Sequence, residues 1–384
     1  MIDYFSSSHH RRQYCVLLAL LVAIALAKPL SGSSAQYPIS YADLTPPGAS
    51  SGDLSFTSGN LQAGTADFPN RSAAGIWSGP SHQFVSLHPT AATYSSSFIS
   101  SVAGNQQAGG AYYGSGYHAA IWSGTAASFR SLNPPQSTDS MVLGTTGTRQ
   151  AGYVYINFNM HAALWSGSAA SWINLNPSPL ANSMAYAIAG NQQAGTVYLP
   201  SGTHGAIWSG TAASFVDMNP SGAHASEIFA TTGSQQAGVV GFGDAAHAGI
   251  WSGTPGSFVD LHPVGAKDSE VRATIGTHQA GHVAYEDPLL YRAKHAALWF
   301  GTADSFLDLH SVLGSGFYES KASSLWTDGT TIQVAGYART QQGVARPILW
   351  TVIVPEPSVG AFWIVMSGVI LVHSKRMKPL GLRT

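Results

Sequence analysis

Ser40-Tyr41-Ala42-Asp43-Leu44-Thr45-Pro46 is a fragment detached from its own repeat. Its pattern is Ser, aromatic, any residue, Asp or similar, aliphatic, any residue, Pro. The same pattern returns in Ser214-Phe215-Val216-Asp217-Met218-Asn219-Pro220, and further copies centre on Phe84, Phe129, Trp172, Phe258 and Phe306. Each of those copies follows a repeated tryptophan: Trp77, Trp122, Trp165, Trp208, Trp251 or Trp299. A seventh tryptophan, Trp350, has no such segment behind it. The orphan at Ser40 is therefore expected to supply the missing last strand of the final unit. That closes a ring of seven and removes two exposed sheet edges, which an open array of repeats would not need.

The seven tryptophans are spaced 43 to 51 residues apart. A second marker keeps their phase: a Gln-Ala-Gly or Gln-Val-Ala-Gly step ends at Gly64, Gly109, Gly152, Gly195, Gly238, Gly281 and Gly336. Two markers in one phase mean tandem copies of one supersecondary unit. A residue repeated seven times reads as architecture before it reads as chemistry.

One copy breaks into four short runs: Met184 to Ala189, Gln193 to Leu199, His204 to Trp208 and Ser214 to Met218. Each is bounded by Gly, Asn, Ser or Pro, the punctuation of antiparallel strands. No window between the two ends of the chain keeps a 3.6-residue apolar period. Four strands in about 43 residues is the size of one propeller blade. The expected fold is all-β, a seven-bladed β-propeller over residues 38–353. Small first-strand residues such as Ala185, Ala187 and Ala189 would face the central channel. Ile207, Trp208 and Phe215 would fill the space between blades.

The chain has 384 residues, 45% hydrophobic and 9% charged, with a formal net charge of −1. Globular domains usually carry about 25% charged residues. Without an excess of either sign, nothing steers the chain toward nucleic acid or an acidic membrane surface. His9-His10-Arg11-Arg12 precedes an unbroken apolar run, Tyr14 to Ala27, which is short for a bilayer span. This reads as a secretory signal over residues 1–35, with cleavage after Ala27 or Ala35. The one cysteine, Cys15, lies inside that run. The mature chain would then have no disulfide, thiolate nucleophile or Cys-ligated metal.

The opposite end, residues 354–384, has three parts. Pro355-Glu356-Pro357 comes first, an apolar stretch from Val359 to Val372 follows, and Lys375 and Arg376 close it. Basic residues after an apolar segment hold that end on the cytoplasmic side. The tail resembles the PEP-CTERM sorting signal of Gram-negative bacteria. That resemblance implies a transmembrane sorting helix, recognition by an exosortase-like membrane enzyme, and association with exopolysaccharide. The run His204-Gly205-Ala206-Ile207-Trp208-Ser209-Gly210, with the upstream Gly190-Asn191-Gln192-Gln193-Ala194-Gly195, resembles the HAF extracellular repeat of bacterial secreted proteins. It departs from that repeat where Ala-Ile stands in place of Phe.

His118, His161, His204, His247 and His295 lie four residues before their tryptophans, with Ala73 and Arg346 in the first and last copies. Imidazole is a common metal ligand, but no second ligand recurs beside it at metal spacing. A structural bond to a loop backbone or to a repeat Asp such as Asp217 is the expectation. The tryptophans are expected in the core, where burial of such a ring contributes roughly 2–3 kcal/mol. If exposed, they would form a multivalent lectin.

Asp43, Asp217, Asp260 and Asp308 belong to the repeat. Asp53, Asp67, Asp139, Glu227, Asp244, Asp268, Glu270, Glu286, Asp287, Asp304, Glu319 and Asp328 do not. Lys267 to Lys294 is the densest irregular stretch, carrying Glu270, Arg272, His278 and His282, and is the first place to look for broken symmetry. No phosphate loop, nucleophile elbow, metalloprotease helix or calcium loop is present. The reading is an exported, non-catalytic surface or matrix protein with no cofactor or metal. A polysaccharide-acting glycosidase or lyase is the alternative, favoured by a non-repeated carboxylate pair at the channel.

Overall fold

The computed structural model describes residues 37–355 other than 92, 178–181 and 288–290. Among the described residues there are seven four-stranded antiparallel sheets. The fold is an all-β, seven-bladed β-propeller. The fourth blade is representative: Asn182–Ala189, Gln192–Leu199, Gly202–Trp208 and Val216–Asp217, in that order across the sheet. The seventh blade takes its outermost strand from the other end of the chain. Ile39–Asp43 pairs antiparallel with Ala345–Ile353, with Tyr41 opposite Trp350. The detached fragment therefore closes the ring. The first strands of successive blades touch one another all the way round, the seventh against the first included.

The sequence reading of a strand from Ser214 to Met218 is corrected. A 3-10 turn, Ala212–Ser214, comes first, and the strand is only Val216–Asp217. The reason is the serine. Its hydroxyl donates to the Thr211 carbonyl at 2.6 Å and accepts from the Ser209 N–H at 2.7 Å. A side chain that bonds its own backbone locally competes with the ladder. Ser128, Ser171, Ser257 and Ser305 repeat this arrangement.

The second marker has a geometric cause. Every first strand carries a β-bulge, for example between Ala185 and Ala187. A bulge bends the strand and pushes backbone toward its neighbour. A Cβ on Gly195 would stand 1.9 Å from the Met184 carbonyl oxygen, and the other six repeat glycines face the same collision. The glutamine of the same step points back to a turn: Gln193 Oε1 accepts from the Gly210 N–H at 2.8 Å. Gln107, Gln150, Gln236 and Gln279 hold Gly124, Gly167, Gly253 and Gly301 in the same way.

The core lies between blades. Ala151, Ala162, Leu164 and Leu175 of the third blade pack with Ala185, Ile188, Val197, Ala206 and Trp208 of the fourth. A polar latch accompanies each such seam. The Ala162 N–H donates to Ser183 Oγ at 2.9 Å, and the Ser183 hydroxyl donates to Asn176 Oδ1 at 2.8 Å. Ser97, Ser140, Ser226, Ser269 and Ser320 do the same for the N–H groups of Ala74, Ala119, Gly205, Ala248 and Ala296. The closing seam departs from the rule on both sides at once. Pro347 stands where the donor would be and has no N–H, and Gly52 stands where the serine would be. With no donor to satisfy, a hydroxyl there would have nothing to accept.

The signal segment and the tail from Glu356 onward, with Pro357, Lys375 and Arg376, lie outside the described residues. Pro355 follows the last strand, one residue beyond Val354, whose N–H donates to the Thr330 carbonyl at 2.8 Å. Among the described residues no helix is long and apolar enough to cross a membrane.

Candidate functional site

The repeated residues are consumed by the fold. Trp77, Trp122, Trp165, Trp208, Trp251, Trp299 and Trp350 are each at most 1% exposed. Trp77 Nε1 donates to the Leu44 carbonyl at 2.7 Å, and Trp299 Nε1 to the Leu261 carbonyl at 3.0 Å, so each reaches the outer strand of the preceding blade. A lectin built on these indoles is ruled out, because no ring face is open to a sugar.

The histidines meet fourth-strand partners. His204, His247 and His295 contact Asp217, Asp260 and Asp308 through Nδ1 at 2.7, 2.7 and 2.9 Å. His161 meets Asn174 at 2.9 Å. His118, with Ser131 at the corresponding position, instead packs beside Tyr113. The same aspartates cap the following turn: Asp217 Oδ1 accepts from the Asn219 N–H at 2.9 Å, Asp260 Oδ1 from the His262 N–H at 2.8 Å and Asp308 Oδ1 from the His310 N–H at 2.8 Å; Asp43, which has no histidine partner, caps Thr45 in the same way at 2.9 Å. No group of three or more potential metal ligands occurs among the described residues.

Symmetry breaks at the central channel. The bulge of each first strand turns one side chain toward the axis. Around the ring these are Ser55, Ser100, Leu143, Tyr186, Phe229, Arg272 and Ser323, and all seven line a cavity of about 570 Å³. A narrower continuation of about 200 Å³ runs past Ala187, Ala230, Thr231 and Thr274. Of the small residues expected at the channel, Ala187 lines this narrow part, whereas Ala185 is buried in the interblade core; Phe56, Ile188 and Leu325 line it too, and the wider ring is neither small nor uniform.

One arc of the mouth is apolar and aromatic: Phe98, Leu143 and Tyr186. The opposite arc is charged. Arg272 lies over the Phe229 ring at 3.8 Å and pairs with Glu270. Tyr186 and Thr196 both donate to Glu227 Oε2 at 3.4 Å. Burial, then the charge of Glu270, pushes the Glu227 carboxyl up; Arg272 and the two hydroxyls oppose this. Lys321 Nζ sits 3.7 Å from Glu319 and 5.9 Å from the Tyr337 ring. Behind this wall His282 is 5% exposed, and its Nδ1 has no hydrogen-bond partner. Burial, then Lys294, Lys321 and Arg272, hold that imidazole well below its ordinary value, so it is neutral.

The irregular stretch from Lys267 to Lys294 therefore divides. Glu270, Arg272, His282 and Lys294 gather at the charged arc. Lys267 and Glu286 form an exposed pair at 3.1 Å, and His278 packs edge-on against Phe300. Sequence reasoning missed Asp53, Tyr186 and Phe229 as members of one site. The signal was present: in the first six blades the bulged residue stands nine positions before the repeat glycine.

Asp53 completes the mouth in the first blade. Burial, and secondarily the charge of Asp67, pushes its carboxyl up to about 6 from 3.8, against a bond from Thr65. A carboxyl raised on folding binds its proton more tightly in the native state. Its stability contribution is complete below pH 3.8 and is lost as pH rises through about 6. Asp53→Asn should therefore stabilise the protein above pH 6, by at most about 3 kcal/mol, and leave it unchanged near pH 4. Urea melts at pH 4 and pH 8 check this; equal shifts at both would sink it.

No family model matches the sequence, and no curated protein is measurably similar to it. Solved structures resemble it in fold. Pyrococcus horikoshii acylaminoacyl peptidase matches over 81% of this chain at 10% identity and a TM-score of 0.51. This chain spans about half of that peptidase, 53% of its length. TolB from Acinetobacter baumannii matches over 79% of both chains at 9% identity and a TM-score of 0.43. At such identities the likeness is one of fold, and function must be argued from the site.

Proposed function

We propose that the protein is an exported, non-catalytic propeller of the cell surface or extracellular matrix that binds polysaccharide at its channel mouth. One observation carries the reading. The sevenfold residues are spent on blade packing, and of two cavities of about 570 Å³ among the described residues, the channel mouth is the one lined by the bulge side chains of all seven blades; the other lies at the outer seam by Asp43, Trp77 and His82. A cavity of several hundred Å³ with apolar walls and few convergent polar groups is the ordinary form of a ligand site. Export rests on the Tyr14 to Ala27 signal and the sorting tail, with an exosortase-like enzyme as the processing partner and a membrane attachment before cleavage.

A glycosidase or lyase is the second reading. It is supported by Glu227 and Glu270, carboxylates of neighbouring blades that sense one another. Their roles would divide as acid and ionised partner, because Glu227 is raised while Arg272 pairs with Glu270. Co-sedimentation of the purified chain with insoluble polysaccharides, together with an assay for new reducing or unsaturated ends, separates the two. Binding without new ends is expected. New ends that disappear in Glu227→Gln would replace the binding reading with the enzymatic one.

A further inference from the structure

We infer that the channel mouth recognises a neutral, polyhydroxylated ring, such as the terminal sugar of a glycan, and discriminates against ligands of net charge. This rests on the polysaccharide reading and names the ligand chemistry of the same site.

The charged residues that line the mouth are Asp53, Arg272 and Lys321, and each of the two cations is paired with a carboxylate of its own strand, Arg272 with Glu270 and Lys321 with Glu319. Glu227 is engaged with two hydroxyls. A net anion would have to draw Arg272 away from Glu270. A net cation at Glu270 or Glu319 would have to displace Arg272 or Lys321. Separating a partly buried pair leaves a charge uncompensated, which is expensive. A hydroxyl has one donor and two acceptor sites. It can donate to a carboxylate and accept from an ammonium or guanidinium without separating either pair.

The rest of the mouth fits the same ligand. Ser55, Ser100 and Ser323 contribute three hydroxyls on one side of the ring. Ser55 donates to the Ile99 carbonyl at 2.5 Å, which leaves its lone pairs to accept. Beside them, Phe98, on the same strand as Ser100, joins Leu143 and Tyr186 of the next two blades in an apolar wall. A pyranose has this division, with C–H groups on its faces and hydroxyls at its edges. Behind the charged wall, neutral His282 keeps an unpartnered, buried Nδ1. An added anion near it would favour its protonation among three cations, a further reorganisation that a neutral ligand avoids.

The test is calorimetric titration of the full-length chain with cellotriose, mannotriose and laminaritriose, with trigalacturonate, and with a zwitterionic tripeptide. At least one neutral trisaccharide should bind. Arg272→Ala should weaken that binding tenfold or more and also lower the thermal midpoint, because Glu270 loses its partner; the channel-filling Ser100→Trp should weaken it tenfold or more while leaving the thermal midpoint nearly unchanged. Binding of trigalacturonate alone, weakened by both variants, would overturn the neutral-ligand inference and leave the polysaccharide reading standing. Neutral binding that neither variant alters would place the sugar elsewhere and overturn the site. Binding of the tripeptide alone, or of none of the probes, would overturn both.

Discussion

Trp208→Ala should destabilise the propeller by roughly 3–5 kcal/mol. The indole is 1% exposed and sits in the core shared by the third and fourth blades, against Leu164, Leu175, Ile188 and Val197. Truncation to Ala removes a large apolar ring and leaves a hole lined by strands that cannot collapse into it, because each is pinned in its ladder. The loss should be local in origin and cooperative in effect, since adjoining blades share that core. Urea unfolding followed by far-ultraviolet circular dichroism measures it. A change under about 1 kcal/mol would mean that the ring packs far less tightly than its burial implies.

Removal of residues 39–46 should have the larger consequence. It takes away the outermost strand of the seventh blade, whose partners run from Ile348 to Val352, and leaves Ala345–Ile353 as an open edge. It also removes Leu44, which packs with Leu54, Trp77 and Leu349 and whose carbonyl accepts the Trp77 indole N–H. No Ser–N–H latch bridges Gly52 and Pro347, so the polar bonds left at this seam are those of Thr57 with Ser324 and Gln333. The expected loss exceeds about 5 kcal/mol from the lost burial alone, and the open edge should drive self-association. Sedimentation velocity and thermal melts test both effects. A synthetic peptide of residues 37–47 added in trans should restore the monomer. A truncated protein that stays monomeric and melts with the intact chain would contradict ring closure by this strand.

Much of the fold was legible because its determinants are local and repeated. Alternating short runs, turn residues and the detached Ser40 to Pro46 segment are sequence facts, and they specify blade size, blade number and closure. The His204–Asp217 contact was legible for the same reason, as two phase-locked polar residues on adjacent strands. The fourth strand was overread, because Ser214 spends its hydroxyl on a 3-10 turn rather than extending the ladder. The channel mouth was legible only in part. Its residues come from seven separate blades, and what unites them is a bulge that turns Tyr186, Phe229 and Arg272 inward. A bulge is a backbone event with no residue type of its own; here its trace in sequence is the glycine on the facing strand.

Function at the channel mouth, with structure in the repeat, predicts that a ligand registers in the first strands alone. Hydrogen–deuterium exchange of the full-length chain, with and without a saturating trisaccharide, reads this directly. Ligand-dependent protection should be confined to peptides from the first strands of the blades, Ser51–Ser58, Tyr94–Ala103, Asp139–Thr145, Asn182–Ala189, Ala225–Thr231, Asp268–Thr274 and Phe317–Thr327. Protection confined to the third and fourth strands, around residues such as Trp208 and Val216, would contradict it.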